Sequence, residues 1–134
     1  MRRILFVCLG NTCRSVMAAA IARKKYGAVV DVDSAGIHPQ SAKEAQMAIE
    51  TLREYFDIDA SKHVPKSILD VDIDSFDIVI AMNEGIAKRL QKLARDKLIT
   101  WKIPDPWGHD SEGYRKCALK INHEVSKLAT RIGI

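Results

Sequence analysis

The sequence predicts an α/β protein built on a parallel sheet with helices on both faces, and three observations carry that expectation. Apolar, strand-like runs recur along the chain: Ile4-Leu5-Phe6-Val7, Val29-Val30-Asp31-Val32 and Phe76-Asp77-Ile78-Val79-Ile80-Ala81. Segments with apolar residues at helical spacing lie between them, and such alternation is the mark of a covered parallel sheet. Directly after the first run comes Cys8-Leu9-Gly10-Asn11-Thr12-Cys13-Arg14-Ser15. Read as strand, tight loop and helix, it places its polar residues beyond a strand's carboxyl end, where open α/β sheets bind ligands.

Taken in order, the first strand is followed by a helix from Ser15 to about Lys25. Its small residues Ala18, Ala19, Ala20 and Ala22 let it lie close against a sheet. A second strand runs from Ala28 to Asp33 and ends at Ser34-Ala35-Gly36, and His38-Pro39 marks a loop. Ala45, Ala48, Ile49, Leu52 and Phe56 recur at helical spacing. Between Asp57 and Ser75 no period stands out. Asp70, Asp72 and Asp74 open like a calcium loop, but Ser75 stands where the turn glycine belongs and Ala81 where the closing Glu belongs. These acids are read as solvated caps. Phe76 to Ala81 is a buried strand, followed by a helix capped by Asn83 with Ile86, Leu90 and Leu93 inward. Leu98 to Ile103 is expected as a fourth strand, leading to the loop Pro104-Asp105-Pro106-Trp107-Gly108. A last helix carries Ala118, Ile121, Val125, Leu128 and Ile132 on one face.

At 134 residues with 47% hydrophobic content, residues 1–134 are expected to form a single domain with a real core. No stretch has the length to span a bilayer and no leader with a small-residue cleavage site opens the chain, so a cytoplasmic protein without membrane partners is expected. Three cysteines, an odd number, suit a reducing compartment rather than a disulfide scaffold. The net charge of +4 is dispersed and no basic segment is rich in aromatics, which argues against nucleic acid. Neither G-x-x-x-x-G-K-[ST] nor G-x-G-x-x-G occurs, so a nucleotide-binding domain is not expected.

The residue types around Cys8 suit phosphate chemistry. Amides of Leu9, Gly10, Asn11, Thr12 and Cys13, curled inward, form an anion-binding nest, and the next helix adds its positive end. Gly10 and Asn11 tolerate the positive φ that such a curl needs. Arg14 can hold two phosphate oxygens with its planar fork. The same positive field favours the thiolate of Cys8, and Ser15 can donate a hydrogen bond to its sulfur. A loop curled around phosphate also brings Cys13 toward Cys8, so Cys13 is expected to capture peroxide-oxidised Cys8 as a disulfide. The second element is Asp105, stiffened between Pro104 and Pro106. It is the natural donor of a proton to the leaving group, and can then take one from the hydrolytic water. Trp107 beside it can wall the pocket. The scheme calls for no metal or other cofactor, because Arg14 and the loop amides carry the phosphate charge. Cys8, Cys13, His38, His63, His109 and His123 fall into no zinc-site spacing.

Together, the loop from Cys8 to Ser15, the Ser34-Ala35-Gly36 turn, Ile80-Ala81-Met82 and Asp105-Pro106-Trp107 resemble the low-molecular-weight protein tyrosine phosphatases over essentially the whole chain. The resemblance implies a four-stranded, flavodoxin-like parallel sheet with Cys8 as nucleophile, Arg14 as phosphate clamp and Asp105 as general acid. It also implies a left-handed Asn11 supported by Ser15, Ser34 and His63. The chain departs from the family's usual pattern at Val16 and Ala19, where Pro and Glu are customary. It departs again at Ile37, His38 and Pro39, where an aromatic wall is customary. Thr12 replaces an aliphatic residue and matches members resembling protein-arginine phosphatases, where its hydroxyl can meet a guanidinium.

The expectation from sequence is hydrolysis of phosphotyrosine in proteins, by a monomer or at most a weak dimer. Phosphoarginine is the alternative substrate, with Thr12 and Trp107 as the pocket residues that decide. An arsenate-reductase branch shares the loop but relays oxidation through an additional cysteine pair, which Cys117 alone does not supply. A silent phosphate-binding module would need neither Cys8 nor Asp105.

Overall fold

Strands β1 (Arg2–Cys8), β2 (Val30–Gly36), β3 (Ile78–Ala81) and β4 (Leu98–Thr100) form one parallel sheet in the order β2-β1-β3-β4. The structure is a computed structural model and describes residues 1–134. Four α-helices join and follow the strands: α1 (Arg14–Tyr26), α2 (Gln46–Phe56), α3 (Glu84–Ala94) and α4 (Ser111–Ile132). This order is the flavodoxin-like one that the resemblance implies, and the side on which successive strands are added switches between β1 and β3.

β1 is the organising strand. It pairs with β2 from Arg2↔Val30 to Cys8↔Gly36 and with β3 from Ile4↔Ile78 to Val7↔Ala81. Ile4, Leu5, Phe6 and Val7 are all wholly buried, and since neighbouring side chains point to opposite faces, the sheet is covered on both. α1 lies on β1 and β2 and also packs against α2 and α4, which leaves it buried from Arg14 through Ala22. The run of alanines makes this possible, because larger side chains would hold the helix off the sheet. α3 covers β3 and β4. No helix is long and apolar enough to cross a membrane.

Several element boundaries differ from the sequence reading. β2 begins at Val30 and β3 at Ile78, each two residues later than the strand expected from sequence, at Ala28 and Phe76. β4 stops at Thr100, although Trp101 and Ile103 continue to donate, to the carbonyls of Ala81 and Met82, at 2.8 and 2.9 Å. Residues 57 to 75 hold single 3-10 turns at Ile68–Asp70 and Ile73–Ser75, which explains the missing period. Asn83 caps α3 as expected, accepting from the Ile86 amide at 2.9 Å.

One core assignment needs correction. Ile86 and Leu90 are buried, but Leu93 is 50% exposed. The inward stripe of α3 is Ile86, Ala87, Leu90 and Ala94. At about 100° per residue these four span roughly one quadrant of the helix, and Leu93 falls outside it. α4, by contrast, buries the whole expected face of Ala118, Ile121, Val125, Leu128 and Ile132.

The two leucines of α3 therefore have different weights. Leu90→Ala should cost about 2–5 kcal/mol of unfolding free energy and Leu93→Ala about 0.5 kcal/mol or less. Urea denaturation of the two variants checks the contrast, and equal losses would contradict the stripe described.

Candidate active site

β1 ends at Cys8 and α1 begins at Arg14, so the loop between them hangs at the carboxyl end of the central strand. Cys13, the residue before α1, offers its helix no side-chain cap. The first amides of α1 therefore have no side-chain cap, an arrangement that can take an anion. Gly36 at the end of β2 lets the loop pass close above it: a Cβ there would stand 2.8 Å from the Leu9 carbonyl oxygen and 2.9 Å from the Asn11 nitrogen.

Asn11 holds the curl. It is wholly buried and left-handed, with φ 54°. Its Nδ2 donates to Ser15 Oγ and to Ser34 Oγ, each at 2.9 Å, and its Oδ1 accepts from the Lys66 amide at 3.0 Å. Its carbonyl lies 2.8 Å from His63 Nε2, which must be the donor because a carbonyl only accepts. The structure therefore brings Ser15, Ser34 and His63 together around Asn11. The Lys66 amide completes the set and gave no sequence signal, since its side-chain identity is irrelevant to the bond. The Lys66 ammonium in turn lies 2.6 Å from Asp33 Oδ1, tying this segment to β2.

Inside the curl, Cys8 Sγ lies 2.9 Å from Ser15 Oγ and is almost fully buried. Leu9, Gly10, Thr12, Cys13, Arg14, Gln40, Asp105 and Trp107 line the same pocket, of about 270 Å³. A larger cleft of about 790 Å³ lies along α1 against His63 and Lys66, and contains none of these groups but its neighbours in the Asn11 network.

Arg14 spans the pocket. Its Nη1 donates to the Ile103 carbonyl at 3.1 Å and its Nη2 lies 3.7 Å from Asp105 Oδ2. Its Nε is buried without any hydrogen-bond partner. Asp105 is oriented by the Trp107 amide, which donates to Oδ1 at 3.0 Å and turns the other oxygen toward Arg14. The Asp105 side chain is 47% exposed and Trp107 is 64% exposed, so the pair forms the rim. Thr12 belongs to the floor, 4% exposed, and donates its hydroxyl to Gln40 Oε1 at 2.9 Å. Gln40 was not legible as a site residue, since it follows Pro39 in a loop whose path over Gly10 only the fold sets.

Cys13 lines the pocket beside Cys8, and Cys117 reaches the Pro104 carbonyl from α4 at 3.8 Å. All three cysteines are free. Burial, reinforced by Cys117, Cys8 and Asp105 and opposed by Arg14, pushes the Cys13 thiol far up. Burial likewise pushes the Cys117 thiol up to about 12, against the pull of Arg14. Both are thiols at neutral pH. Capture of an oxidised Cys8 by Cys13 therefore has to draw a proton out of a buried site.

The pH dependence of the Asn11 network follows from His63. Burial, the largest effect, lowers its pKa below the ordinary 6.5, against the Asn11 carbonyl, which favours the protonated ring. A histidine held neutral by the fold contributes its full stability above the unfolded pKa and loses it as the pH falls below that value. Wild type should lose more unfolding free energy between about pH 7.5 and about pH 5.5 than His63→Gln, which keeps a donor but cannot titrate. Parallel denaturation curves at the two pH values check this, and identical losses would exclude it.

Known proteins carry the same architecture. A protein-arginine-phosphatase of Geobacillus stearothermophilus is 34% identical, with 97% of this chain and 95% of that protein covered. An arsenate reductase of Staphylococcus aureus is 30% identical over 97% of this chain and 98% of its own. The solved structure of a low molecular weight protein tyrosine phosphatase from T. tengcongensis superposes with a TM-score of 0.89 at 33% identity, covering 98% of this chain and 99% of that one. The family model described as low molecular weight phosphotyrosine protein phosphatase matches residues 3–133, and with the sheet order and the loop geometry above, the chain belongs to that family.

Proposed function

We propose that the chain hydrolyses phosphorylated side chains of proteins through a cysteinyl-phosphate intermediate. The observation that carries this reading is the unpartnered Nε of Arg14, buried beside Cys8 at an uncapped helix start. A buried guanidinium donor without an acceptor is costly, and a phosphoryl oxygen supplies the acceptor.

In this reading the Cys8 thiolate attacks phosphorus while Arg14 and the loop amides hold the non-bridging oxygens, whose charge shifts in the transition state. Ser15 donates to the Cys8 sulfur and steadies it as attacker and as leaving group. Asp105 gives a proton to the departing atom, then takes one from the water that cleaves the sulfur–phosphorus bond. The exposed rim at Asp105 and Trp107 leaves room for the rest of a protein substrate.

For the side chain attacked, the pocket favours phosphoarginine. The sequence alone gave priority to phosphotyrosine because of Trp107 and the family. Trp107 stands at the rim, where it can flank a phenol ring or stack on a guanidinium, so it discriminates weakly. Thr12 is buried and lines the pocket with Cys8, a position from which its oxygen can meet the leaving group. Relatives named for arginine phosphatase activity, at 34% and 31% identity, agree with this weighting. Phosphotyrosine is the second reading, carried by the flat apolar face that Trp107 offers.

Cys8→Ser should abolish turnover of para-nitrophenyl phosphate while still binding phosphate, because the anion nest remains. Asp105→Asn should slow substrates with poor leaving groups by about a hundredfold or more, and those with good leaving groups far less. Steady-state kinetics across a series of phenyl phosphates measures both; equal slowing across the series would remove the acid role from Asp105. Side-by-side assays on phosphoarginine and phosphotyrosine peptides of one sequence decide the substrate, and a higher kcat/KM for phosphotyrosine would favour the second reading.

A further inference from the structure

Gln40 lies outside every motif of the chain and is nevertheless fastened to the phosphate loop at two points. Its backbone amide donates to the Gly10 carbonyl at 3.0 Å, and its side-chain Oε1 accepts the Thr12 hydroxyl at 2.9 Å. Its carboxamide lies over Gly10 so closely that a Cβ there would meet Oε1 at 2.7 Å. It shares the pocket with Cys8, Arg14 and Asp105.

We infer that Gln40 is a specificity-determining residue, which selects leaving groups that carry N–H donors by taking up the single proton of the Thr12 hydroxyl. A hydroxyl has one proton to give and two lone pairs to offer. With the proton committed to Gln40, Thr12 meets the leaving group as an acceptor only. The bridging nitrogen of phosphoarginine carries an N–H that such an acceptor can bind. The bridging oxygen of phosphotyrosine offers only lone pairs, and the two acceptors oppose each other. Thr12 without Gln40 is free to turn its proton toward the substrate and serves either leaving group. Gln40 therefore converts an indifferent hydroxyl into a selective one, without touching the reacting atoms itself. The inference rests on the phosphatase reading above and deepens its choice of substrate.

The test is the ratio of kcat/KM for a phosphoarginine peptide to that for a phosphotyrosine peptide of the same sequence. It is measured in wild type, Gln40→Leu, Gln40→Glu, Thr12→Val and the Gln40→Leu/Thr12→Val double variant. Using a ratio cancels losses of folded enzyme common to both substrates. Gln40→Leu should lower the ratio by about tenfold, the effect of one hydrogen bond on discrimination. Gln40→Glu, which keeps the acceptor, should hold or raise it. In the Thr12→Val background, Gln40→Leu should leave the ratio unchanged, since no hydroxyl remains to orient. A ratio unmoved by Gln40→Leu, or an equal fall with and without Thr12, overturns the inference. Wild-type turnover of the phosphotyrosine peptide with none of phosphoarginine also overturns it and leaves the phosphatase reading standing. Turnover of neither peptide overturns both.

Discussion

The carboxamide of Asn11 makes three hydrogen bonds and the backbone carbonyl of the same residue accepts a fourth, from His63. A left-handed residue other than glycine costs about 1–2 kcal/mol, and it persists only where its surroundings over-determine it. Here the determination comes from three separate parts of the chain: Ser15 at the start of α1, Ser34 in β2, and the 63–66 segment after α2. The site's geometry hangs on this residue. Were Asn11 to relax, the loop amides would turn out of the curl, and Ser15 would lose the bond that fixes it beside the Cys8 sulfur.

Arg14 shows the same dependence from the other side. A buried guanidinium is tolerable when its donors are matched, and this one has the Ile103 carbonyl at 3.1 Å and a loose approach to Asp105 at 3.7 Å. Its Nε is buried without a partner. The fold thus holds Arg14 in an arrangement that an oxyanion completes. The Arg14–Asp105 approach also joins the first loop to the last, so the proposed phosphate clamp and the proposed acid are held against each other.

The pocket divides into a floor set by the phosphate loop and a rim set by the loop after β4. At the floor Thr12 is buried and its hydroxyl is held by Gln40, and the proposed discrimination between substrates rests there. The rim is more open, with the Asp105 side chain 47% and Trp107 64% exposed. On the proposed reading, an exposed aromatic that can flank either a ring or a guanidinium weighs less than one polar atom at the buried floor.

The fold class and the central loop were legible in the sequence because both are written in local order. Apolar runs alternate with helical stripes, and Cys8, Gly10, Asn11, Arg14 and Ser15 occupy one short stretch whose spacing is itself the motif. Asp105 was legible through its flanking prolines, and the face of α4 through its period. What local order did not contain, tertiary structure decided. Leu93 follows the inward spacing of its helix, yet the sheet receives Ala94 instead, because the angle at which α3 docks depends on β3 and β4. The Lys66 amide enters the Asn11 network through its backbone, which no side-chain pattern records. Gln40 reaches Thr12 across a separation of 28 residues because the chain folds back over Gly10 beyond β2. Contacts of that kind arise from where elements pack, and packing is a property of the whole chain rather than of any stretch of it.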